Sequence, residues 1–124
     1  MTPRRVERWL VVLIALHSYA VGAGLLFLTA WGARLGGWDE LRPLFFARQA
    51  GAFHFVIASA YLIEYFRYGG VSVLILTKSI AVVFLAAMTV AGEPWLVPAS
   101  GVADAAMGAA VLYVRRWARW SEAR

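Results

Sequence analysis

The chain has 124 residues, of which 62% are hydrophobic and only 15% charged, where a soluble domain usually carries about 25% charged residues. It has no cysteine, which excludes disulfides, thiolate metal sites and thiol redox chemistry. The net charge of +5 is gathered at the ends of apolar stretches, a placement that speaks for membrane topology and against a nucleic-acid partner.

Four stretches, residues 9–30, 45–66, 71–91 and 95–114, reach the roughly 20 mostly apolar residues that a helix needs to cross a bilayer. Lipid offers no water to backbone groups, so each is expected as a helix. The first follows Arg4, Arg5 and Arg8, is flanked by Trp9 and Trp31, and carries His17. Its apolar run exceeds the 7–15 residues of a signal-peptide core, so a span is expected rather than a cleaved leader. Gly36-Gly37 marks a turn in the long connection 31–44, and Trp38-Asp39-Glu40-Leu41 is expected as a short interfacial helix.

The second stretch has Arg48 and Gln49 near one rim and Glu64 near the other, with His54, Tyr61 and Tyr65 on one face by helical periodicity. Arg67-Tyr68-Gly69-Gly70 reads as a tight turn with a glycine C-cap. The third stretch sets Lys78 on an apolar stripe with Leu74, Val82 and Leu85. After the short Gly92-Glu93-Pro94 turn, the fourth aligns Ser100, Asp104, Gly108 and Arg115. Small residues recur as Gly101, Ala105 and Ala109, and as Ala20 and Gly24. This is either a close-packing signal or the plain abundance of small residues.

The expected fold is an all-α membrane protein, one domain over residues 1–124, built as an antiparallel up-down-up-down bundle of four transmembrane helices. Short connections force neighbouring helices antiparallel. The arginine bias places both termini in the cytoplasm.

Lys78 and Asp104 are isolated charges of opposite sign in apolar spans, each costing about 2.5–3.5 kcal/mol to insert. Counted at 1.5 Å per residue, Lys78 lies at ~10 Å, His17 at ~12 Å, Asp104 at ~15 Å and His54 at ~18 Å from the cytoplasmic ends. These four form the candidate intramembrane cluster, with Tyr61, Glu64, Arg48 and Gln49 as possible flanking residues. Three readings are open: a register-fixing Lys78–Asp104 ion pair, a polar pocket or proton route, and a snorkelling lysine. Two histidines could also ligate a haem, although their depth offset is awkward for one haem plane.

Phe45-Phe46-Ala47-Arg48-Gln49-Ala50-Gly51, with Lys78 and Asp104 downstream, resembles the small four-helix bacterial membrane proteins grouped as DoxX-like. The resemblance implies the architecture only, and it places no catalytic residue; the expected location is the bacterial cytoplasmic (inner) membrane. Some of those relatives are membrane subunits of quinone-linked oxidoreductases.

No catalytic or metal-binding residue is expected, since two histidines and one central carboxylate are too few to name a reaction. The favoured reading is a non-enzymatic accessory or lipid- or small-molecule-binding component. Its partners are the lipid bilayer and either a partner membrane subunit or a second copy. The alternatives are a proton-linked transporter and a membrane redox subunit binding haem or quinone.

Overall fold

The computed structural model describes all 124 residues. They form five helices and no strand: α1 (Pro3–Phe27), α2 (Thr29–Leu35), α3 (Leu44–Tyr68), α4 (Ser72–Val90) and α5 (Leu96–Glu122). Three of them, α1, α4 and α5, are long and apolar enough to cross a membrane. With 25 residues α3 matches α1 in length, but Arg48, His54, Glu64 and Arg67 dilute its apolar run and it is not among the three.

Local chemistry sets the helix ends. Thr2 caps α1, its hydroxyl accepting from the Arg5 N–H, and Pro3 opens the helix, where a missing N–H costs nothing. The expected continuous helix over 9–30 instead stops at Phe27. Leu28 leaves the helical region (φ −118°, ψ 32°), and Thr29 restarts the chain as α2 with its hydroxyl donating to Leu25 O at 2.5 Å.

The short helix expected over Trp38–Leu41 is also displaced, to Thr29–Leu35. Gly36 and Gly37 end α2, Gly37 at φ +101°. Trp38 then lies against the bare face of Gly36. Its backbone N–H donates to Ala33 O and its indole to Glu93 Oε2, both at 3.0 Å. A local turn bond and one tertiary bond hold Trp38 in place of a helix start.

The α3–α4 turn is as expected, with Gly69 left-handed at φ +66°. Glu64 completes it: its two carboxylate oxygens accept from the N–H groups of Ser72 and Val73 at 2.9 and 2.8 Å. These are donors that the first turn of a helix leaves unpaired, and negative charge is favoured there.

The four long helices pack in the order α3–α1–α5–α4, and α3 also touches α4. Pairing runs antiparallel throughout. Tyr19 meets Ser59 while Gly22 meets Gly51, and Lys78 meets Asp104 while Leu85 meets Gly101. Between α1 and α5, Arg4 meets Glu122 and Glu7 meets Arg115.

The backbones of α1 and α3 approach closely at a pair of glycines. A Cβ on Gly22 would stand 2.8 Å from Gly51 O, and one on Gly51 equally close to Gly22 O. Ala20, Ala105 and Ala109 are exposed and nothing lies near Gly24, so the small-residue repeats do not mark the seams as a set. Of that group Gly101 faces α4, as does Gly108 beside it.

The packed core gathers Val11, Ile14, Ala58, Tyr61, Leu74 and Val111, all toward the end of the bundle that holds both termini. Large apolar side chains such as Leu13, Phe53, Val56, Ile80, Val83 and Val102 stand on the outside, each more than half exposed. So much contiguous apolar surface suits hydrocarbon rather than water.

Candidate functional site

Beyond the core, toward α2, the helices leave a cavity of about 720 Å³ that is about half open to its surroundings. It is walled by α1, α4 and α5, bordered at its far end by α2 and Trp38, and reached from α3 by His54 alone. The volume lies in the range of sites for drug-sized molecules, roughly 300–1,000 Å³.

All four residues of the expected cluster line this cavity: His17, His54, Lys78 and Asp104. Lys78 Nζ donates to Asp104 Oδ1 at 2.5 Å, with side chains 8% and 16% exposed. Lys78 is therefore partnered, not snorkelling alone. The α4 stripe of Leu74, Lys78, Val82 and Leu85 faces inward as a unit, none of its members exposed. The short α4–α5 turn then sets Asp104 opposite Lys78.

His54 contributes from α3 half-buried, and its Nδ1 is sealed from solvent without a hydrogen-bond partner. His17 lies on the α1 wall and stays exposed. Most of the remaining lining is apolar, including Val21, Leu25, Phe84, Leu85, Leu96 and Val97.

The four possible flanking residues do not join the cavity. Tyr61 is buried in the core, Glu64 caps α4, and Arg48 and Gln49 are exposed on α3. A helical wheel puts Tyr61 and His54 on one face, but two turns separate them, and the core occupies the nearer level.

The far end of the cavity is latched by two indoles. Trp38 bonds Glu93, and Trp95 Nε1 donates to Leu35 O at 3.2 Å. These bonds join the α2 loop to the α4–α5 turn.

Glu7 is a buried charge that sequence reasoning passed over. It is fully buried on α1, accepting from Arg115 Nη1 at 2.8 Å, while Arg115 Nη2 donates to Gly69 O at 2.8 Å. One arginine thereby ties α1, α5 and the α3–α4 turn. The available signal was the lone carboxylate among Arg4, Arg5 and Arg8, lying at the level of Arg115. Farther out, Arg4 Nε donates to Glu122 Oε1 at 2.6 Å. That bond raises the Arg4 pKa and holds the exposed Glu122 carboxyl below its ordinary value.

No group of three or more His, Asp or Glu side chains is arranged to hold a metal ion. Comparison of the chain with protein families, curated proteins and solved structures finds no significant match.

Proposed function

We propose that this protein is a non-enzymatic integral membrane component that holds a small, largely apolar molecule in the cavity between α1, α4 and α5. The carrying observation is convergence: the Lys78–Asp104 ion pair and both histidines line a single cavity of about 720 Å³. An apolar pocket with a few convergent polar groups is the ordinary form of a small-molecule site.

Four membrane crossings accompany this reading, and parity supports them. The Arg4–Glu122 and Glu7–Arg115 pairs hold the start of α1 against the end of α5. Both termini therefore share one end of the bundle, which an odd number of crossings would separate. α3, antiparallel to α1 and equal in length, supplies the fourth crossing. Arginines crowd the terminal end, so that end faces the cytoplasm. The DoxX-like resemblance agrees in span number, and the location in this reading is the bacterial inner membrane.

The test exploits Gly24, which lines the cavity and has open space where a Cβ would stand. Gly24→Leu fills the cavity without a backbone clash and with a better helix former. Native mass spectrometry of protein purified in mild detergent should show a bound small molecule or lipid on the wild type and its loss from Gly24→Leu. Equal adducts on both proteins would defeat the proposal.

A further inference from the structure

The chemistry of the cavity wall selects the head of its ligand, and the selection rests on the cavity being a binding site as proposed above. Lys78 and Asp104 form an electrically closed pair. A head with its own net charge would add an uncompensated ion to a mostly apolar, half-open cavity, at a desolvation cost. An uncharged head avoids that cost.

His54 then sets the polarity of the hydrogen bond. A neutral imidazole carries its proton on one nitrogen and accepts at the other. Nδ1 is sealed and has no acceptor within reach, and a buried N–H without an acceptor is rarer than an unused acceptor. The proton is therefore assigned to Nε2, the ring nitrogen that is not sealed, on a residue that lines the cavity. His54 presents a donor. Lys78 adds more, since its ammonium has three N–H groups and spends one on Asp104.

We infer that the cavity takes an amphiphile with an apolar body and an uncharged oxygen head, a hydroxyl, ether or carbonyl, which accepts from His54 Nε2–H beside the Lys78–Asp104 pair. Val21, Leu25, Phe84, Leu85, Leu96 and Val97 receive the body.

Four probes of equal chain length separate the terms: decanol, decanoate, decylamine and decane, titrated at neutral pH onto delipidated protein and read by native mass spectrometry. Decanol should bind at least about tenfold more tightly than either charged analogue, because each of those buries an unpaired charge. It should also bind more tightly than decane. His54→Phe should weaken decanol about fivefold, the worth of one neutral hydrogen bond, and leave decane unchanged. His54→Gln, which restores an N–H donor, should recover the preference for decanol.

Decanoate, decylamine or decane binding as tightly as decanol to the wild type would overturn the assignment of the head while leaving the cavity as a site. So would decanol affinity unmoved by His54→Phe. Failure of all four to bind the wild type, or binding undiminished in Gly24→Leu, would overturn the cavity reading and this inference with it.

Discussion

Charge neutralisation organises the interior of the bundle at two levels. Near the chain ends, fully buried Glu7 is met by Arg115, and deeper along the helices Lys78 is met by Asp104. Such pairs contribute little over an apolar substitute, but an orphaned partner costs about 3–5 kcal/mol. Asp104→Asn should therefore destabilise the detergent-solubilised protein by about that amount, and Lys78→Met with Asp104→Leu should restore most of it. Thermal melting of the three proteins measures this, and a melting temperature unmoved by Asp104→Asn would remove the pair from any structural role. Both residues were legible in the sequence, because a single charge in an apolar span has few partners to choose from. Glu7 was not. Among three arginines near a membrane surface, one carboxylate reads as solvated until α5 brings Arg115 against it.

Among the elements, α1 and α3 depend on bare backbone at one point. With Gly22 and Gly51 each 2.8 Å from the other's carbonyl oxygen on Cβ addition, neither position tolerates a side chain without separating the helices. Gly51→Val should cost about 1–3 kcal/mol as an overpacked site. Gly24→Ala, with open space at its Cβ, should be neutral or stabilising by about 0.5–1 kcal/mol. Denaturation of the two variants in the same detergent checks the contrast, and a smaller loss for Gly51→Val than for Gly24→Ala would contradict the packing. Small-residue spacing alone pointed at Ala20 and Gly24. The rotation of α1 that buries Gly22 is set by Val11, Ile14, Ala15 and Ser18, all buried on α1, and no pattern of glycines carries that information. α2 is a similar case: Gly36-Gly37 announced a turn, but the indole bonds to Glu93 and Leu35 decided where the helix lies.

At the scale of the whole molecule, the shared end of the two termini is the feature that topology must respect. The absence of cysteine makes single-cysteine labelling clean. Thr2→Cys and Ser121→Cys should react with a membrane-impermeant maleimide from the same side of the membrane, and Asp39→Cys from the opposite side. Labelling of residues 2 and 121 from opposite sides would rule out four crossings. The sequence by itself determined that the chain is helical and carries segments long and apolar enough to cross a membrane, because hydropathy and backbone satisfaction in lipid act over some twenty residues at a time. It also determined which four side chains were candidates for an interior cluster, because charge and imidazole are conspicuous in apolar surroundings. Only the tertiary structure decided that these four line one cavity while Tyr61, Glu64, Arg48 and Gln49 do not. Depth along a helix can be counted from sequence. The tilt and rotation that leave α1, α4 and α5 apart beside α2, yet closed at the chain ends, arise from packing among residues distant in the chain.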